Sequence, residues 1–175
     1  RNCLVGSEMC IRDSSKTEAL NSTKEILNGK FKSSSKVILE EFMKGDELSY
    51  FIIVDKNSYQ FFGSAQDHKR VGENDTGPNT GGMGAYSPAK LFNRDLEKKI
   101  NQKIIEPTIS AMKKLDHPFQ GFLYAGLMIR NNEPYLIEYN IRMGDPECQV
   151  LMMDLKTDLV KILDYATQNK MANLK

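Results

Sequence analysis

Apolar positions in this chain recur first with a helical spacing, then with strand spacing, and the alternation repeats to the carboxy end. Residues 1–14 follow neither period. From Ser15 the pattern turns helical: Ser15 and Glu18 have capping-box spacing, Leu20, Ile26 and Leu27 mark one side, and Gly29 is a natural stop, which predicts a helix over 16–28. Ser33, Ser34 and Ser35 form a flexible link. Residues 36–43 (KVILEEFM) and 48–54 (LSYFIIV) are β-branched and aromatic runs separated by a turn, and 55–57 turn again into 59–62, so three antiparallel strands are expected. A long helical pattern covers 93–115, with Leu96, Ile100, Ile104, Ile109 and Met112 on one side, Asn93 as N-cap and a break or kink expected before Pro107. Two further strands follow, 122–130 and 135–142, joined by a loop slightly longer than the tightest hairpin type. The first is apolar on both faces and should be central. Asp145, Pro146 and Glu147 start a helix with Pro at the first helical position, and 157–165 repeats the signal with Asp158 in its first turn. Strands, a long helix, more strands and terminal helices make an α+β domain.

Composition narrows the functional classes. With 175 residues, 40% hydrophobic and 27% charged, the chain is an ordinary globular protein of one domain or two small lobes. Lys and Arg number 24 against 23 Asp and Glu, so no basic field gathers nucleic acid or anionic lipid. The longest apolar stretch, 121–129, is far short of the roughly 20 residues that cross a bilayer. No secretory apolar segment opens the chain. Cys3, Cys10 and Cys148 form no Cys-x-x-Cys pair, which argues for a reducing, cytoplasmic setting and against zinc or a disulfide scaffold.

Three segments carry candidate chemistry. In the stretch 64–88, SAQDHKRVGENDTGPNTGGMGAYSP, five of the chain's twelve glycines fall within 72–84 and no secondary-structure period is present. Glycines let backbone N–H groups approach an anion such as a phosphate, and Asp67, His68, Lys69 and Arg70 add cations at the mouth, with Met83 and Tyr86 as anchors. The bland alternative is a solvated surface loop. In 138–142, EYNIR, strand periodicity puts Glu138, Asn140 and Arg142 on one face. A carboxylate and an amide oxygen so placed can share one hard cation, and the guanidinium can hold a phosphoryl oxygen; the alternative is a plain polar strand face. Around 39–47, Glu40, Glu41 and Phe42 end a strand whose backbone can meet the amino edge of adenine. Glu47 follows as a carboxylate for ribose hydroxyls, unless this is only a solvated strand end.

In order, EEFMKGDELSYFIIVD, SAQDHKRVGENDTGPNTGGMGAYSP, GFLYAGLMI and IEYNIRMGDPECQ resemble the ATP-grasp ligases, and among them the phosphoribosylamine–glycine ligases, also called glycinamide ribonucleotide synthetases, over about 37–160. The resemblance implies a partial ATP-grasp fold, with 15–43 as part of the small lobe, 44–175 as a truncated large lobe and ATP lying between the two. It implies ATP contacts from Glu40, Glu41, Phe42 and Glu47, and Mg²⁺ or Mn²⁺ on Glu138 and Asn140. It further implies catalytic roles for Arg142, Asp67 and Lys69. His68, Arg70, Asn79, Thr80, Gly81, Gly82, Met83, Gly84 and Asp145 would bind the substrates glycine and 5-phosphoribosylamine. Glycine would be activated as an acyl phosphate and attacked by the amine, in purine biosynthesis. Another carboxylate–amine ligase of the same architecture, or an inactive ATP-binding fragment, is the alternative. The family's Gly-rich, lysine-bearing turn before the first helix has no counterpart in 1–14, which is expected to be foreign sequence, and no second acidic metal ligand is evident in 121–130.

Overall fold

The computed structural model describes residues 15–30, 36–73, 76–80 and 82–174. The chain divides into two compact units, one ending at Lys44 and the other beginning at Gly45. In the first, α1 (Lys16–Glu25) carries both halves of the expected capping box, Ser15 N–H donating to Glu18 Oε2 at 3.1 Å and Glu18 N–H to Ser15 Oγ at 3.2 Å. A π-type turn, Ile26–Lys30, closes it, with Gly29 at φ +100°. The strand expected over 36–43 is not formed: this segment is irregular, and Ile38 and Leu39 are exposed. β-branched residues suit a strand only when a neighbour takes up its N–H and C=O groups, and no strand of this unit is present among the described residues to do so.

The second unit is built on a five-stranded antiparallel sheet of order β5-β2-β1-β6-β7, from β1 (Asp46–Val54), β2 (Tyr59–Asp67), β5 (Ala85–Tyr86), β6 (Gly121–Arg130) and β7 (Glu133–Asn140). β1 and β6 are interior strands, and for β6 this is the place its apolar run predicts. Leu48, Tyr50, Ile52 and Val54 of β1, with Leu123, Ala125, Leu127 and Ile129 of β6, pack on Leu96, Ile100 and Ile105 on one side of the sheet. These last belong to α2 (Arg94–Ile100), capped by Asn93, and to a π-type turn, Asn101–Ile105, that leads into α3 (Glu106–Lys114). Of the break or kink expected before Pro107, the break does not occur: the α-helical ladder gives way to the π-type turn just ahead of it and the helical course then continues, because proline falls in the first turn of α3, where its missing N–H leaves no interior bond unmade. On the opposite side Phe51 and Tyr124 meet Leu151 of α4 (Glu147–Asp154), and Ile53 meets Ile162 and Ala166 of α5 (Leu159–Thr167).

Further departures bear on the site. β2 runs five residues past its expected end at Phe62, since Gly63 leaves room for α4: a Cβ there would lie 2.4 Å from Leu151 Cδ2. The β6–β7 connection is a two-residue turn in which Asn131 and Asn132 have φ of 54° and 58°, so Glu133 and Pro134 belong to the edge strand. β7 stops at Asn140, and α4 begins at Glu147 with Pro146 as its N-cap, outside the helix. Asp158 is the N-cap of α5, not a first-turn residue. Within the glycine-rich stretch, β3 (Arg70–Gly72) and β4 (Thr76–Asn79) pair as a small ribbon, so it is not without secondary structure.

Candidate active site

Directly opposed residues of an antiparallel sheet share a face. The register therefore lines up Ala65, Ser49, Gly126 and Glu138 in one row and Gly63, Phe51, Tyr124 and Asn140 in the next. Glu138 and Asn140 stand side by side, with Asn140 Nδ2 donating to Glu138 Oε1 at 3.1 Å. A Cβ on Gly126 would lie 3.2 Å from Glu138 Cγ, so the glycine opposite Glu138 makes space for its side chain. Strand alternation puts Glu47 and Asp67 on this same face, two residues beyond Ser49 and Ala65. Lys69 Nζ lies 3.3 Å from Glu47 Oε2.

The glycine-rich stretch folds back on the end of β2 through its backbone. His68 N–H donates to Gly84 O at 2.9 Å, Met83 N–H to His68 O at 2.8 Å and Thr80 N–H to Lys69 O at 2.7 Å. Thr80 Oγ1 also donates to Lys69 O and accepts from Gly82 N–H. Gly82 has φ +117°, and a Cβ on it would come within 2.7 Å of Pro146 Cδ and 3.2 Å of Asp67 Oδ1, so glycine is required there on two counts. Asp67 Oδ1 is buried without a hydrogen-bond partner. Burial, then the negative charge of Glu147, push the Asp67 carboxyl up to about 6, with Lys69 opposing. Tyr86 anchors this stretch, its hydroxyl donating to Gln66 Oε1 at 2.6 Å, whereas Met83 is 62% exposed and anchors nothing.

Sequence reasoning missed Glu147 as more than an acidic residue at a helix start. Its side chain is 2% exposed, and Oε1 accepts from Ser49 Oγ at 2.9 Å and Tyr124 OH at 3.2 Å, while those two hydroxyls lie 3.0 Å apart. A Cβ on Gly144 would fall 2.3 Å from Glu147 Oε2, so the turn before α4 closes tightly on this carboxylate. Burial, then Glu147, hold the Tyr124 hydroxyl far above its usual range. The sequence-level signal was Gly144 three residues before an acid at the start of an apolar helix.

Other expected site residues are placed differently. Arg142 lies beyond the end of β7 on an exposed bend, its guanidinium donating to Met143 O at 2.9 Å, so it does not extend the strand face of Glu138 and Asn140. Asp145 is exposed and accepts from Gln149 Nε2 instead of capping α4. His68 is exposed, with its ring 5.8 Å from that of Tyr86. Arg70 and Asn79 are paired through the β3–β4 ladder. Glu40, Glu41 and Phe42 lie on the irregular, exposed segment of the first unit, and Gly81 lies outside the described residues. Two oxygen-bearing side chains at 138 and 140 suit a hard cation. Among the described residues no three His, Cys, Asp or Glu side chains converge on one point.

The profile of the phosphoribosylglycinamide synthetase ATP-grasp (A) domain matches residues 4–148. The chain belongs to this ATP-grasp family. Its match begins within the stretch 1–14. A phosphoribosylamine–glycine ligase of Mesorhizobium japonicum is 52% identical over 141 residues, which cover 81% of this chain and 33% of that protein. One from Agrobacterium fabrum is 52% identical over 151 residues, covering 86% and 36%. The chain thus spans about a third of the length of these curated relatives. The crystal structure of a phosphoribosylamine–glycine ligase from Thermotoga maritima superposes with a TM-score of 0.78 at 32% identity, over 89% of this chain and 40% of that one. Biotin carboxylase of Campylobacter jejuni shares the fold, with a TM-score of 0.60 at 16% identity over 86% of this chain and 31% of that one. The α+β ATP-grasp architecture expected from sequence is the one observed in this family member.

Proposed function

We propose that this chain is the ATP-grasp part of a ligase that joins glycine to 5-phosphoribosylamine at the expense of ATP, giving glycinamide ribonucleotide, ADP and phosphate. The relatives' shared name supports the substrates. The observation that carries the site is the shared sheet face of Glu138 and Asn140 with Glu47 and Asp67. In this reading Glu40, Glu41 and Phe42 meet adenine and Glu47 the ribose hydroxyls. The Glu138 carboxylate and the Asn140 amide oxygen would hold Mg²⁺ or Mn²⁺, which supplies charge neutralisation at the phosphates when bound.

Arg142, on its exposed bend, steadies the phosphoryl group as it passes from ATP to the glycine carboxylate. Lys69 lies against Glu47, and ribose binding to Glu47 leaves the ammonium available to the acyl phosphate. The amine of phosphoribosylamine then attacks the acyl carbonyl, a C–N bond forms, and phosphate departs with the broken C–O bond. Asp67, its carboxyl pushed up to about 6 by burial and then by Glu147, takes the proton from the attacking amine. His68, Thr80, Gly82 and Gly84, with Arg70, Asn79, Gly81, Met83 and Asp145 around them, border the substrates. The rate gain comes from positioning and electrostatics, which accords with the carboxylates and cations that the site presents. No helix among the described residues is long and apolar enough to cross a membrane, and we place the reaction in the cytoplasm.

The test uses the full-length gene product. Phosphate release should require both glycine and phosphoribosylamine, and Glu138→Gln should lower kcat/KM for Mg-ATP by about 10²-fold without a lower melting temperature. Release that depends on a different carboxylate or amine would assign the chain to another ATP-grasp ligase. Unchanged turnover in Glu138→Gln would remove the metal assignment.

A further inference from the structure

Glu147 has no part in the chemistry described so far, yet its carboxylate is 2% exposed and its two donors are neutral hydroxyls. A glutamine of the same shape could take up the same two hydroxyls in this interior position with a smaller desolvation penalty than a carboxylate. The charge is therefore to be explained by something it acts upon. Contacts lead from it in one direction. Gly144 closes on the Glu147 carboxylate, Pro146 lies against Gly82, and Gly82 in turn lies against the Asp67 carboxylate. At its other end Glu147 is fixed to the sheet by Ser49 on β1 and Tyr124 on β6. The turn at 144–147 is thus clamped between the sheet and the glycine loop, with Asp67 at the far side of the clamp.

We propose that Glu147 is a positioning residue for Asp67, holding the 144–147 turn against Gly82 and placing a second negative charge beside the Asp67 carboxylate. This deepens the ligase reading and rests on it for the role of Asp67. Electrostatics support the geometry. The groups that bear on Asp67 are Glu147 from α4, Glu47 from β1, and Lys69 and His68 from the segment after β2. The first two raise its carboxyl and the last two lower it, with Glu147 the strongest of the four. A carboxylate tuned in this way is a stronger proton acceptor at neutral pH than an ordinary one.

The experiment compares wild type with Glu147→Gln in the full-length protein. It reads the pH profile of kcat/KM for phosphoribosylamine, and the Asp67 carboxyl titration by ¹³C NMR without substrates. Loss of the charge should move both the acid limb and the NMR midpoint down by roughly one pH unit. KM for ATP should stay within about twofold. In an Asp67→Asn background the same substitution should add no further change to the profile. If Glu147→Gln does not fold, Ser49→Ala, which removes one of the two hydroxyls that fix the Glu147 carboxylate in place, should move the midpoint the same way by less. An unmoved midpoint in whichever variant folds overturns the proposal, as does an equal effect of Glu147→Gln with and without Asp67. Should wild type lack glycine-dependent turnover while the midpoint still moves, the ligase reading fails and the Glu147–Asp67 linkage stands.

Discussion

Asp55 and Asp67 sit at opposite ends of the β1–β2 hairpin, and their surroundings could hardly differ more. Asp55 is 1% exposed and fully engaged: Oδ1 accepts from Asn57 N–H at 2.7 Å, Ser58 N–H at 2.6 Å and the Ser58 hydroxyl, and Oδ2 from Met171 N–H at 2.8 Å. Burial alone pushes its carboxyl up, but those donors outweigh burial and hold it below the usual carboxylate range. Asp67 is half-buried, its Oδ1 is enclosed without a donor, and burial followed by the charge of Glu147 raises its carboxyl to about 6. The same residue type on the same hairpin is thus a structural staple at one end and an electrostatically unfavourable group at the other. Folding alone gives no reason to keep the second, which is why that end of the sheet reads as the working end.

Asp67→Asn tests this contrast most severely. On the proposed reading it removes the proton acceptor, and kcat/KM in full-length protein should fall by about 10³-fold. Stability should move the other way. A carboxyl whose folded value lies above its unfolded value contributes stability that is complete below about pH 4 and lost as pH rises through about 6. Removing the charge should therefore raise the melting temperature at pH 8, by the equivalent of about 1–2 kcal/mol once partial exposure is allowed for, and should change little at pH 4. A variant less stable than wild type at pH 8 would show that Asp67 is a structural residue after all.

Asp55→Ala tests the other end. Its loss leaves three buried or half-buried backbone N–H groups and a hydroxyl without an acceptor, so we expect about 2–3 kcal/mol less stability at pH 7, with kcat unchanged. Here the folded value lies below the unfolded one, so the contribution is present above about pH 4 and disappears as pH falls through the lowered folded value. Melting curves of wild type and variant should therefore converge in strong acid. Curves that stay parallel from pH 7 down to 2 would remove the carboxylate from the explanation.

Which parts of this contrast were legible beforehand follows from how local each feature is. The helix over 94–114, its Asn93 cap and the paired positions of Glu138 and Asn140 depend on spacing within a few residues, and periodicity exposes them. The strand expected over 36–43 and the ribbon β3–β4 depend on whether a partner strand is present, which apolar and glycine content do not reveal. Arg142 was placed by extending a period two residues beyond the point where β7 ends. Glu147 was the hardest to foresee, because its burial is made by Ser49 and Tyr124, 98 and 23 residues away. An acid at a helix start looks the same in sequence whether water or a tyrosine covers it.

The mildest substitution discriminates best between a site arranged by packing and one arranged only by charge. Gly126 lies opposite Glu138 in the β6–β7 ladder, and its φ is not in the left-handed region, so alanine there carries no backbone strain. The only conflict is the added Cβ, 3.2 Å from Glu138 Cγ and 3.7 Å from Glu138 O. A flexible glutamate can give way by a few tenths of an ångström, so the change in stability should stay within about 1 kcal/mol. That small displacement moves the carboxylate relative to Asn140, and a hard cation is sensitive to the placement of its oxygen ligands. Gly126→Ala should therefore raise the Mg²⁺ concentration needed for half-maximal turnover by roughly three- to tenfold, while the acid limb of the pH profile, assigned to Asp67 on the proposed reading, stays in place. A shifted acid limb with unchanged Mg²⁺ dependence would mean that Glu138 serves the proton-transfer end of the site, and the division between metal-holding and proton-accepting carboxylates would have to be redrawn.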